Sequence, residues 1–180
     1  MPLPLVTERL LIRDFRPSDF AAVHAFQSDP EVARYTSRGP YTSEDTLALI
    51  GSAIEAAEAD PRDTYQLVAT RHDQPFGRAL LLPNGHRIYE IGYSLAREAW
   101  GQGYGSEIAR ALTAFAFDHL EAHRLFGRVD PANLPSIKIL ERLGYRREGV
   151  LRKDLWKENQ WWDTGYYGLL ENEWEAREKP

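Results

Sequence analysis

The run Gly101-Gln102-Gly103-Tyr104-Gly105-Ser106 constrains this chain more than any other segment. Three alternating glycines stand between an apolar strand-like stretch, Tyr89 to Leu95, and a periodic helix marked by Ile108, Leu112, Phe115, Ala116 and His119. Glycine tolerates positive φ and lets a backbone approach a ligand closely. The unpaired N–H groups and the dipole at a helix start form an anion site, most often for phosphate. A strand, a glycine loop and a helix in this order predict a phosphate-bearing cofactor. Spacing narrows the choice. A dinucleotide fingerprint needs G-x-G-x-x-G directly after its strand. Here the third glycine comes one residue early, and Ala96 to Trp100 intervene. A P-loop needs Gly-Lys-Ser/Thr, which is absent from the chain.

The loop resembles the pyrophosphate loop of the GNAT N-acetyltransferases, whose pattern is Q/R-x-x-G-x-G/A. Trp100 to Gly105 fill it, with Trp100 in the Gln/Arg slot. That departure is familiar in the RimJ/RimL-type branch of N-terminal acetyltransferases. Thr7-Glu8-Arg9-Leu10-Leu11-Ile12-Arg13, Asp29-Pro30-Glu31-Val32, Glu90-Ile91-Gly92-Tyr93-Ser94-Leu95, Asn133-Leu134-Pro135-Ser136, Leu143-Gly144-Tyr145 and Glu173-Trp174 resemble the same branch, in the same order. The resemblance covers nearly the whole chain and implies an acetyl-CoA-dependent transfer to an amine.

The 180 residues suit one domain, 1–180, with one substantial core. There are no cysteines, which removes disulfides, thiolate metal sites and a cysteine nucleophile, and fits a cytoplasmic location. No apolar run approaches the ~20 residues of a membrane span. Met1 to Val6 does not read as a signal peptide. The net charge of −5 disfavours nucleic acid and suits a cationic partner such as an amine. Arg146, Arg147, Arg152 and Lys153 form the dense basic patch, read as a solvated strand edge or as a landing site for the CoA 3′-phosphate. A homodimer is left open.

Leu10 to Phe15 reads as a first strand. Pro17 opens a helix running through Phe20, Val23 and Ala25. Thr42 and Asp45 resemble a capping box before a helix with Leu47, Ile50 and Ile54 on one face, ended by Asp60-Pro61. Strand signals follow at Gln66 to Thr70, Phe76 to Leu82 and Ile88 to Leu95, joined by short turns as in an antiparallel meander. After the glycine-loop helix come a parallel strand, Leu125 to Val129, and a helix from Ser136 to Leu143 closed by Gly144. Strands near Tyr145 to Leu151 and Trp162 to Leu170 finish an α+β fold: a mixed, mostly antiparallel sheet of about seven strands with helices on both faces.

Gly92 inside its strand suggests a bulge or a close backbone approach. The resemblance places a splay there that accepts the pantetheine arm, with the backbone of Tyr93, Ser94 and Leu95 in contact. It assigns Trp100 to Ser106 to the pyrophosphate and Asn133 to pantetheine. Acyl transfer from a thioester requires a neutral amine, a stabilised oxyanion and a good leaving thiolate. Glu90 is the preferred base: it shares a strand face with Gly92, and the family places acids there. Asp163 and Glu158 are weaker acids for the role. The tyrosine that protonates the thiolate in many relatives is replaced by Leu140. In the RimJ/RimL branch the serine at Ser136 assists the sulfur; a helix N-cap is its other reading. No metal is expected: His119 and His123 have helical i, i+4 spacing but no acidic or cysteine partner nearby. The late aromatics, Trp156, Trp161, Trp162, Tyr166, Tyr167 and Trp174, read mostly as core. Tyr35, Thr36 and Tyr41 lie in the loop that caps the acceptor site in GNAT folds. A non-catalytic acyl-CoA sensor and an unrelated nucleotide-binding protein are the competing classes.

Overall fold

The computed structural model describes residues 3–178. Its sheet runs in the order β1-β2-β3-β4-β5-β6-β8-β7, formed by Leu5–Val6, Leu11–Asp14, Tyr65–Arg71, Gln74–Pro83, Ile88–Leu95, Arg124–Val129, Arg146–Lys157 (β7) and Gln160–Leu170 (β8). All neighbours are antiparallel except β5 and β6, which run parallel. The sequence suggests about seven strands; the described residues hold eight, because the two-residue β1 pairs with β2 and is too short for any periodicity to reveal. The last two strands also run further than expected. Glu158 and Asn159, both at positive φ (53° and 59°), close a tight hairpin between them.

Helices α1 (Phe20–Gln27), α2 (Pro30–Ala33), α3 (Ser43–Glu58), α4 (Tyr104–His119), α5 (Leu134–Leu143) and α6 (Glu171–Glu178) complete the chain. Two apolar layers lie on opposite sheet faces. Phe15, Val23, Phe26, Leu49, Ile50, Ala53 and Val68 join α1 and α3 to one face. Ile12, Leu67, Ala69, Ile108, Leu112 and Leu125 join α4 to the other. Alternation along β3 sends Val68 one way and Leu67 and Ala69 the other, which is why both layers form.

Several local expectations change. Pro17–Asp19 is a 3-10 turn, and α1 starts at Phe20. The capping box at Thr42 and Asp45 forms, but α3 buries Thr46, Leu49, Ile50 and Ala53, leaving Leu47 59% exposed. Helix α4 ends at His119, so His123 lies outside it and sits 3.9 Å from Glu171. Tyr167 and Trp174 are core, whereas Trp156 and Trp161 are exposed and pack edge to face at the tip of the last hairpin. The basic cluster Arg146, Arg147, Arg152 and Lys153 lies exposed on the edge strand β7, with Arg146 paired to Glu173.

Entry into α1 rests on a buried ion pair. Arg13 on β2 donates to both carboxylate oxygens of Asp19 at 2.8 and 2.9 Å, and the Arg16 N–H adds a third bond at 2.8 Å. Burial pushes the Asp19 carboxyl up, but the guanidinium and the backbone donor outweigh it, and its pKa falls below the usual value. Glu107 is likewise lowered, against burial, by the Thr7 hydroxyl and by Arg9, and Glu148 is lowered by Arg124. Asp19→Asn, which leaves the buried guanidinium only the exposed Asp73 at 3.5 Å as a counter-charge, is expected to cost about 3 kcal/mol, read from the urea midpoint. Carboxylates depressed in the folded state stabilise it above their unfolded pKa and lose that contribution as pH falls through the folded one. Thermal stability is therefore expected to hold near neutrality and decline below about pH 4, with a shallower decline in Asp19→Asn.

Candidate active site

The sheet opens where its parallel pair diverges. Strand β5 pairs with β6 only at Ile88, Tyr89 and Glu90, opposite Arg124, Leu125 and Phe126. Beyond Glu90 it keeps its antiparallel register with β4 but has no strand on its other edge. The Ala96 N–H donates to Phe76 O at 2.8 Å, so alternation directs the backbone of Ser94 and Gly92 to β4. The backbone N–H and C=O groups of Ile91, Tyr93 and Leu95 then face the opening.

This refines the expected backbone contacts. Tyr93 presents its backbone to the gap. Ser94 does not; its Oγ instead accepts from Gln27 Nε2 at 3.1 Å. The Leu95 carbonyl accepts from Trp100 Nε1 at 2.9 Å. Gly92 makes no bulge. It pairs regularly with Leu80, and a Cβ there would lie 3.0 Å from Leu80 Cδ1, so close packing explains the glycine.

The glycine loop stands beside the gap, leading into α4. Gly101 and Gly103 adopt φ of +72° and +82°, and Gly103 is the cap residue. Arg9, from the segment between β1 and β2, clamps the loop. It donates through Nη1 to Gln102 O at 2.9 Å and through Nε to Glu107 Oε2 at 2.7 Å, and its guanidinium lies 4.5 Å from the Tyr104 ring centroid. Thr7 Oγ1 donates to Glu107 at 2.6 Å. Gly105 serves a different purpose from its neighbours: a Cβ there would meet Ile139 Cδ1 at 3.0 Å, so it lets α4 lie close to α5. Ser106 follows it in the first turn of α4.

Helix α5 supplies the far wall. Its cap is Asn133, whose side-chain oxygen accepts from the Ser136 N–H at 3.2 Å. Ser136 is therefore inside the first turn, and the N-cap reading of its hydroxyl falls away. Behind it stands Tyr93, whose hydroxyl is buried without a hydrogen-bond partner. Burial pushes the Tyr93 phenol up to about 12, with Ser136 close enough to oppose the shift slightly. Leu140, in the slot of the usual tyrosine, is buried against Gly127.

A cleft of about 320 Å³ runs through the opening. On the gap side it meets Tyr93, Asn133, Ser136 and Leu140; on the α1 side it meets Gln27, Tyr35, Thr36, Tyr41, Arg78 and Glu90. Glu90 faces this cleft and is paired through Oε1 with Arg128 Nε at 2.9 Å. Asp163 reaches the cleft and accepts from the Lys153 N–H, whereas Glu158 does not line it. Lys157, buried in the wall, donates to the carbonyls of Arg34 and Thr36 at 2.6 and 3.2 Å and so fixes the capping loop to β7. Sequence reasoning missed Gln27, Arg78, Arg128 and Lys157. Polar residues at alternate positions of otherwise apolar strands, as at Arg78 between Gly77 and Ala79, are the signal that would have found some of them.

The chain is a GNAT acetyltransferase: the acetyltransferase (GNAT) domain model matches residues 9–146, more than half of its length. It is 33% identical over 171 residues to the uncharacterized N-acetyltransferase YnaD of Bacillus subtilis, covering 94% of this chain and 98% of that one. A GNAT-family acetyltransferase from Bacillus anthracis superposes with a TM-score of 0.81 at 31% identity, over 93% of this chain and 98% of that one. Two more distant structures share the fold alone. The ribosomal-protein-S5-alanine acetyltransferase of Vibrio fischeri has a TM-score of 0.83 at 18% identity, covering 96% of this chain and 99% of that one. The spermidine N-acetyltransferase of Vibrio cholerae, in complex with CoA and spermine, has a TM-score of 0.81 at 18% identity, covering 94% and 99%.

Acetyl-CoA is the co-substrate of this family, and the residues present fit it. The gap offers unpaired strand edge to an extended amide chain, and the positive-φ glycines open the start of α4 to phosphate. Gly103→Val is expected to weaken CoA binding at least tenfold by calorimetry, because a β-branched residue resists φ of +82°. Gly105→Val is expected instead to lower the thermal midpoint, through its clash with Ile139.

Proposed function

We propose that the acceptor is the α-amine of a peptide or protein. The observation that carries this reading is the pairing of Glu90 with Arg128 in the cleft. Transfer requires a neutral amine. Neutralising an alkyl ammonium with pKa ~10.4 at pH 7 costs about 4.6 kcal/mol, against about 1–1.4 for an α-amine at ~7.7–8.0. A carboxylate already held by a guanidinium is suited to the smaller task. The Vibrio fischeri enzyme is named for an alanine of ribosomal protein S5 and the Vibrio cholerae enzyme for spermidine, so the fold itself is neutral between a protein and a polyamine.

Acetyl-CoA supplies an acetyl group activated as a thioester. The backbone of Tyr93 and the side chain of Asn133 would hold the pantetheine arm, and the N–H groups of Gln102 to Ser106 the pyrophosphate. Glu90, held in place by Arg128, accepts the amine proton through a water. Ser136 presents its hydroxyl at the gap, where it assists the departing sulfur. Tyr93 stands behind Ser136 with its proton retained at neutral pH; once the two hydroxyls close to hydrogen-bond distance it can replace the proton that Ser136 gives up, and the phenolate then regains a proton from water.

Thiol release from acetyl-CoA across peptides with different first residues, compared with spermidine, tests the acceptor. Turnover is expected with at least one peptide class; turnover with spermidine alone overturns the reading. Ser136→Ala is expected to lower kcat by ~10- to 1,000-fold with little change in CoA affinity, and to leave the melting temperature nearly unchanged because Asn133 is the cap. Tyr93→Phe removes a buried hydroxyl that has no partner, so its thermal midpoint is expected to hold or rise while kcat falls. Undiminished kcat in both variants would exclude the Ser136–Tyr93 route.

A further inference from the structure

Arg78 stands on β4 opposite Ser94, in the α1-side wall of the cleft. Its guanidinium donates to Tyr41 Oη at 3.3 Å and to Gln66 Oε1 at 2.8 Å, both neutral acceptors. Its Nε is sealed from solvent and donates to nothing, although the residue keeps partial exposure through the cleft. Among the described residues no carboxylate pairs with it. The other enclosed arginines differ. Arg13 has Asp19, Arg62 has Asp14 and Arg124 has Glu148, and the exposed Arg128 at the cleft has Glu90. The charged groups around Arg78 do not compensate it. Arg38 is a second cation, itself paired with Asp45; Glu90 is held by Arg128; Asp130 and Asp163 also line the cleft but accept from the Ala132 and Lys153 N–H groups rather than from Arg78; Lys157 is a further cation in the wall. Burial accordingly lowers the pKa of Arg78. A guanidinium nonetheless stays charged, and one withdrawn from water without a counter-charge is costly.

We propose that Arg78 binds a carboxylate of the acceptor, so that the preferred substrate is an amine carrying an acidic group. This rests on acetyl transfer to an amine in this cleft. The CoA phosphates are not the ligand: their loop lies at the start of α4, on the opposite sheet face, whereas Arg78 shares a face with Val68 and the α1–α3 layer. Gly92, at the opening, and Ser94, the partner of Arg78, are two residues apart on β5, or about 7 Å along the strand. The carboxylate therefore sits several bonds from the amine, as an acidic side chain does when it follows a free N-terminal residue. A free amino acid with a distant carboxylate offers the same chemistry. A polycation would meet Arg78, Arg38 and Lys157 instead.

The test uses matched probes. One pair is a peptide amide with glutamate second against the same peptide with glutamine second. The other is an ω-amino acid against its amide. Wild-type protein is expected to prefer the acid of at least one pair on the order of tenfold or more in kcat/KM. The pair that responds identifies the source of the carboxylate. Arg78→Met is expected to bring that ratio close to one, mainly through KM, with CoA affinity by calorimetry unchanged; Arg78→Gln replaces it if the methionine variant does not fold. Equal use of acid and amide by wild type, or an undiminished ratio in the variant, overturns the proposal. If no probe is acetylated, calorimetry of the same pairs on CoA-loaded protein separates the two readings. An acid preference that Arg78→Met abolishes upholds the anion site while transfer to these amines falls; no preference overturns the site.

Discussion

Divergence of one parallel strand pair organises this molecule. Parallel neighbours joined by a helix are usually buried and fully paired. Here pairing between β5 and β6 stops at Glu90, and the remaining edge of β5 faces a gap rather than a strand. Unpaired backbone groups withdrawn from water are costly, so such an edge is a standing demand for a ligand that can pair with it. The extended amide chain of pantetheine is suited to meet that demand. Leu140 and Gly127 keep the wall tight on the β6 side, while Gly105 lets α4 approach α5 on the other.

The glycine loop at the start of α4 is held from outside by the N-terminal segment. Arg9 binds the Gln102 carbonyl, the Glu107 carboxylate and the Tyr104 ring at once. Positive-φ glycines are free to move, and a loop built from them gains order only from such external clamps. The Thr7-Glu8-Arg9 segment thus shapes the glycine loop without lining the cleft. Arg13 does comparable work one strand further on, anchoring the entry to α1 through Asp19.

Charge is distributed along the cleft with a direction. Nearest the opening, Glu90 and Arg128 neutralise each other. Toward the capping loop the cations accumulate: Lys157 is consumed by loop carbonyls, Arg38 by Asp45, and Arg78 by neither. On the proposed reading, the amine end of an acceptor meets a paired carboxylate, and its far end meets the unpaired guanidinium of Arg78. That polarity accompanies a chain whose net charge is −5, which shows that overall charge says little about a site.

Much of the framework was legible from residue order. The glycine run, the periodicity of α4, the Thr42–Asp45 capping box and the Gly144 terminator each report local physics, which acts within a few residues. The span Ile88–Leu95 was readable in full, and the partial pairing of β5 was implied by resemblance. Tertiary structure alone decided what depends on contacts between distant segments. Ser94 turns its backbone to β4 because register with Arg78 requires it. Arg78 lacks a carboxylate partner because of where α3, β3 and the Tyr41 loop converge on it. Residue type and spacing specify which elements form and which faces they bury; the pairing of charges across the cleft is settled only when those elements meet.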